Sequence, residues 1–275
     1  MAALAQAEGR LRGSLVPRPR QATVGQNRSS KRTLHSAHRS MPHKNNIIVS
    51  LDFDSASGAL ELVEQLGPSA RFYKVGLQLL TAAGPAVVRQ LISGGKEVFL
   101  DLKLHEIPTS VAGAVAAAGA LGASMVTVHA SGGSAVLRAA VEAARSYPKL
   151  SVLALTVITS LRDEDLTEMG LTSTVPEQVI RLARLAVAAG CHGVVASAQE
   201  ARPLRDFLPA EMLIVTPGTQ LETDAKNDQA RVATPFDAIR WGASHIVIGR
   251  SISRAANPSE ALAVIQAQVD GDASL

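Results

Sequence analysis

The sequence is poor in cysteine, in aromatic residues and in long apolar runs. A single cysteine, Cys191, among 275 residues excludes an intramolecular disulfide and any cysteine-cluster metal site, and it fits a reducing, cytoplasmic compartment. Aromatics make up only 3% of the chain, so alanine, leucine and valine must fill the core, which suits helices packed closely on a sheet. No stretch approaches ~18 uninterrupted apolar residues, so no transmembrane helix and no membrane partner are expected. No grouping of His, Asp and Glu has metal-ligand spacing.

Acids are nearly absent from the first 44 positions. Nine Lys and Arg stand there against one acid, Glu8, for a net charge of +8, whereas the remainder of the chain is net −5. The sequence pI of 9.2 therefore does not report a basic face, and no nucleic-acid partner is expected. Residues 1–44 also lack the apolar core of a secretory signal. Three readings stay open: a disordered basic extension or a start chosen upstream of Met41, an organelle transit peptide by composition, or a tag remnant. LVPR at 15–18 resembles part of a protease tag site, but the PR that follows does not.

A hydrophobic content of 47% supports a large globular core. From Asn45 onward, apolar runs of strand length alternate with longer amphipathic stretches. Strands are expected at 46–52, 71–76, 96–103, 123–130, 150–159, 192–197, 211–218 and 244–252. Helices are expected at 57–66, 84–95, after Pro108 (111–122), and at 134–146, 176–190, 199–208, 235–243 and 259–270. The strands are continuously apolar rather than alternating, as when both faces are covered. Eight βα repeats predict an α/β protein with one (β/α)₈ TIM-barrel domain over 45–272. A doubly wound open sheet would carry a Gly-rich fingerprint after its first strand, and LDFDSAS is not one.

In such a barrel the site lies at the C-terminal ends of the strands. Polar residues collect there: Asp52, Lys74, Asp101 with Lys103, His129, Thr156 with Thr159, Ser197, Thr216 and Arg250 end strands one to eight in turn. Asp101 and Lys103 are two apart on a strand, so both side chains point the same way. Acid and base alternating around a rim hold a lysine protonated and a carboxylate ionised; the bland reading is a salt-bridge lattice closing the barrel top. TPG (216–218) and IGRS (248–251) end strands seven and eight, where barrels often bind phosphate, and Arg250 can add a bidentate contact. His129 fits either a general base or a hydrogen-bonded strand-end histidine, and His105 fits a loop-orienting role. Cys191, at the opposite end, reads as structural.

DLKLHEIPTSV (101–111) resembles the signature of the orotidine 5′-phosphate decarboxylase family, usually written D-x-K-x-x-D-I-P. SLDFDS, FYKVG, VTVHASGG, TVITS, TPG, DAKNDQARVATP and VIGRSI extend the similarity over 45–272, toward the bacterial type. Relatives in the superfamily with sugar-phosphate substrates share D-x-K-x-x-D and usually need magnesium, but lack HxIP and NDQxRVATP. The resemblance implies decarboxylation of orotidine 5′-monophosphate to UMP, without metal or cofactor. It implies Lys103 as proton donor and Asp101 beside the substrate carboxylate. Asp52 and Lys74 would meet the ribose and Thr159 the pyrimidine edge; Gln229, Gly249 and Arg250 would hold the phosphate and its loop. Thr109 and Ser110 are further substrate-binding candidates, Ser110 standing where the family usually has threonine. The residue at 106 would reach the neighbouring subunit's site, giving a homodimer with shared sites. Two positions depart from the pattern. Glu106 replaces an aspartate, and Gln220, in TPGTQ, replaces the arginine of TPGIR near the phosphate. Those departures keep two alternatives in view: a sugar-phosphate lyase, or a phosphoribosyl-ligand binder with impaired catalysis.

Overall fold

The computed structural model describes residues 46–222 and 232–271; the segment 1–44 and Gln229 lie outside these residues. Eight parallel strands close into a barrel in chain order. They are β1 (Ile47–Ser50), β2 (Phe72–Gly76), β3 (Glu97–Leu104), β4 (Met125–His129), β5 (Ser151–Leu155), β6 (Gly193–Val195), β7 (Leu213–Thr216) and β8 (His245–Ile248). β1 pairs with both β2 and β8, so the sheet has no open edge. All eight expected strands are present. Most stop short of the end of their apolar run, because the last residues leave the ladder to shape the rim.

The helices are α1 (Ala56–Leu66), α2 (Leu77–Ala83), α3 (Ala86–Ser93), α4 (Pro108–Leu121), α5 (Gly133–Ala144), α6 (Asp163–Glu168), α7 (Val175–Ala189), α8 (Ala198–Arg205), α9 (Pro235–Arg240), α10 (Arg250–Ser253) and α11 (Pro258–Val269). Two apolar layers result. Ile48, Phe72, Phe99, Met125, Leu153, Leu155, Val195, Val215 and Val247 fill the barrel interior. A larger layer joins the outer strand faces to the helices. Both strand faces are thus buried, which is why the sequence shows no alternation. The Ala/Gly-rich α4 packs closely against its neighbour: a Cβ at Gly119 would overlap the ring of Tyr147.

Three local expectations are corrected. The stretch 84–95 is not one helix: Gly84, at φ 65°, caps α2, and α3 starts only after Pro85. α2 itself buries only Leu79, so it shows no apolar stripe to read. The linker 160–175 holds α6, built on charge rather than burial. Asp163, Glu164 and Asp165 face its positive N-terminal end, and Asp165 accepts from Arg162 N at 2.7 Å. The run 244–252 ends as a strand at Ile248 and becomes α10.

The opposite end of the barrel carries two imidazoles, one half-buried and one more exposed. His245 opens β8, edge-on to Phe72, with ring centroids 6.1 Å apart. Burial pushes its pKa down to about 4. His192 accepts from Val152 N at 3.0 Å through Nδ1, and desolvation lowers its pKa too. A histidine whose folded value lies below its unfolded value favours the folded state fully above ~pH 6.5, and loses that contribution as pH falls toward the folded value. His245 alone should therefore cost about 2 kcal/mol of stability at pH 5 relative to pH 7.5. Denaturant unfolding at both pH values checks this, with His245→Gln expected to reduce the difference.

Candidate active site

The C-terminal rim opens into a cavity of about 710 Å³. Asp52, Lys74, Asp101, Lys103, Thr159, Gln220, Gly249 and Arg250 all line it. Residues from β2, β3 and the connections after β1, β5, β7 and β8 thus meet at one rim.

Its charges form a chain. Lys74 Nζ lies 3.0 Å from Asp52 Oδ1 and 3.9 Å from Asp101 Oδ2. Lys103 Nζ lies 2.8 Å from the same Asp101 oxygen. Asp52 is also held by the Ser50 hydroxyl, which donates at 2.7 Å. Burial raises the Asp52 carboxyl, but Lys74, the Ser50 hydroxyl and Lys103 outweigh it, and the net shift is downward. Asp101 is the buried member at 8% exposure, so its two cations and one hydroxyl are its main compensation for leaving water. Gly76 leaves the space this needs: a Cβ there would sit 3.0 Å from Lys74 Nζ.

Simple strand alternation does not explain the Asp101–Lys103 pairing. The β3–β4 ladder is irregular between Leu100 and Leu104, and Lys103 sits at φ 50°, the left-handed region that a lysine seldom adopts. Thr127 on β4 fixes this bulge. Its hydroxyl accepts from Lys103 N at 2.8 Å and donates to Asp101 Oδ1 at 3.0 Å. Backbone strain held in place by a buried hydroxyl at a charged rim is a sign of function. The sequence carried a signal for Thr127, a lone polar residue within the apolar run ASMVTVHA.

The remaining candidates divide. Leu155, Ile158, Val195 and Val247 give the cavity an apolar wall, and Ser160, Thr219, Ser251 and Arg254 add polar lining that the sequence reading did not single out. Glu106 does not line this cavity. It is exposed, and its Oε1 accepts from Ile107 N at 2.6 Å. Thr109 and Ser110 are exposed on the first turn of α4, also outside it. Thr156 and Thr216 are buried and donate to the carbonyls of Val195 and His245, so they join strands rather than face the cavity. His129 stacks on His105 at 5.1 Å and binds Ser131 through Nδ1. Burial, then His105 and Lys103, lower its pKa, which disfavours its charged form. Cys191 is buried, its thiol raised to about 12 by burial, and inert at neutral pH.

Residues 45–265 match the model of the Orotidine 5′-phosphate decarboxylase / HUMPS family. The chain is 45% identical over 224 residues to the orotidine 5′-phosphate decarboxylase of Saccharophagus degradans, covering 81% of this chain and 94% of that protein. It is 46% identical over 237 residues to that of Moorella thermoacetica, covering 84% and 94%. The crystal structure of the Lactobacillus acidophilus enzyme of the same name superposes with a TM-score of 0.75 at 34% identity, over 82% of this chain and all of that one. With a closed barrel, a charged rim and these matches agreeing, the chain belongs to the Orotidine 5′-phosphate decarboxylase / HUMPS family.

Proposed function

We propose that this chain is a carboxy-lyase that converts orotidine 5′-monophosphate to UMP and carbon dioxide, the last step of de novo pyrimidine synthesis, with Lys103 as proton donor. The observation that carries this reading is the Asp52–Lys74–Asp101–Lys103 chain in the lining of one cavity that also carries Arg250. The substrate has groups to match: a carboxylated ring at one end and a phosphate at the other.

The chemistry follows from the placement. The bond from ring carbon 6 to the carboxylate breaks, and its electron pair stays on carbon 6. Lys103 Nζ delivers a proton to that carbon, carbon dioxide leaves, and the lysine recovers a proton from solvent. Asp101, 2.8 Å from Lys103 Nζ, aims the ammonium and sits against the departing carboxylate. A fixed cation beside a developing carbanion, in a cavity with an apolar wall, stabilises the transition state more than water would. Asp52 and Lys74 hold the ribose, and Thr159 reads the pyrimidine edge. Gly249 and Arg250 take the phosphate, Gln220 stands beside them, and Gln229 joins this group by resemblance. Binding the unreacting phosphoribosyl group positions the ring for reaction.

Glu106 serves the site of a second copy, with Thr109 and Ser110 on the same exposed face, and the active form is a cytoplasmic homodimer. Supporting this, Leu77 and Ile107 leave neighbouring strands at this rim with 59% and 60% of their surface exposed, a large apolar area for a free surface. No helix of the described residues is long and apolar enough to cross a membrane. Shared sites make a sharp prediction. Lys103→Ala and Glu106→Ala chains should each be nearly inactive, and mixing them under subunit exchange should restore about a quarter of wild-type activity, since half the dimers regain one complete site. Activity that stays at the sum of the two parents contradicts sharing.

The reaction itself is tested by following loss of the substrate's ultraviolet absorbance with purified chain and no added metal. Turnover that a chelator abolishes favours the sugar-phosphate lyase chemistry of the superfamily. UMP binding without turnover favours a ligand binder in which Glu106 and Gln220 have impaired catalysis.

A further inference from the structure

We propose that Arg254 is a second phosphate-binding cation of this site, replacing the charge that Gln220 does not supply. This rests on the phosphorylated substrate proposed above. Four observations lead to it.

First, Arg254 lines the same cavity as Gln220 and Arg250. Second, it stands one helical turn beyond Arg250, with its N–H donating to the Arg250 carbonyl at 3.1 Å, so both side chains leave the same face of α10. Third, among the described residues no hydrogen bond or ion pair holds its guanidinium, whereas Lys74 and Lys103 are both engaged by carboxylates. Fourth, the carboxylates of the described lining are already engaged. Asp52 and Asp101 are the only carboxylates among the described lining residues, and both sit with the lysines. The segment after β8 contributes two arginines and no carboxylate to the lining.

That segment fits a dianion. A phosphate monoester carries close to two negative charges at neutral pH and offers three acceptor oxygens. One arginine fork satisfies two of them. Gln220 is held in the lining by its N–H, which donates to Ala233 O at 3.1 Å, but its amide brings no charge. Arg250 alone would leave the second charge without a cation, and among the described lining residues Arg254 is the cation that no carboxylate engages. Among the described lining residues, the cations here thus come from α10 and its C-terminal cap.

The test separates phosphate binding from the rest of the site by comparing UMP with uridine as inhibitors of the wild-type chain, Arg254→Gln, Arg254→Lys and the pair Arg254→Gln/Gln220→Arg. Arg254→Gln should weaken UMP about 10-fold or more and leave uridine unchanged, the size expected for one charge-assisted contact. Arg254→Lys should recover part of the loss, as a point charge without the fork. Adding Gln220→Arg should recover most of it. Because Arg254 is exposed, these variants should fold as the parent does. Unchanged UMP inhibition in Arg254→Gln, in a chain whose wild type decarboxylates orotidine 5′-monophosphate, overturns this assignment alone. Equal weakening of UMP and uridine also overturns it. A wild-type chain that binds UMP no better than uridine overturns both this assignment and the proposed substrate.

Discussion

Lys103→Ala is expected to lower kcat/KM for orotidine 5′-monophosphate by at least ~10⁴-fold. The lysine acts twice. As a positioned acid it contributes on the order of 10²–10⁴-fold. As a fixed cation at the carbon where charge develops, it contributes about 10²–10³-fold more. No other described cation has its geometry: Lys74 lies 3.9 Å from the shared Asp101 oxygen and is tied to Asp52 at 3.0 Å. The loss should fall on kcat rather than KM, because the proton transfer belongs to the transition state. Lys103→Gly separates chemistry from folding. Lys103 sits at φ 50°, where a side chain is strained, so glycine should make the chain about 1 kcal/mol more stable than alanine does while activity stays absent. Steady-state kinetics and denaturant unfolding on the two variants check both halves.

Asp101→Asn should cost about 10³-fold in kcat, although it preserves the shape of the side chain. One carboxylate oxygen meets both lysines, at 2.8 and 3.9 Å. Replacing it with an amide leaves two ammonium groups without the charge between them. Their mutual repulsion is then uncompensated and Lys103 loses the charge that aims it, so the loss should fall on kcat rather than KM. Thr127, which donates to Asp101 Oδ1 and accepts from Lys103 N, should still hold the bulge, so the variant should remain folded. Steady-state kinetics of wild type and variant measure the loss; an unchanged kcat would show that Asp101 does not aim Lys103.

The barrel was legible because its strands are buried on both faces. A continuous apolar run is a strong signal, and so is a charge standing at its end. Asp52, Lys74, Asp101, Lys103, Thr159 and Arg250 were found by that contrast, and all six line one cavity. What stayed hidden depends on geometry that spacing does not carry. The bulge in β3 is held by Thr127, one strand away in space and 24 residues from Lys103 in sequence. Alternation put Asp101 and Lys103 on one face for a reason that does not apply at a left-handed residue. Arg254 lay just past the run 244–252, whose end was read as strand, and a helical turn there brings it beside Arg250 instead. α6 escaped because charge and capping build it, and only Leu166 is buried. The outward direction of Glu106 was implied by the family pattern and not by its own neighbours in sequence.

The most direct test of the account uses the chain stripped of metal by a chelator and supplied with orotidine 5′-monophosphate in heavy water. The account predicts UMP and carbon dioxide in equal amounts, with one deuterium at ring carbon 6 of each UMP, and no such product from Lys103→Ala. Product that appears only when a divalent cation is restored, or turnover no greater than that of Lys103→Ala, would contradict it.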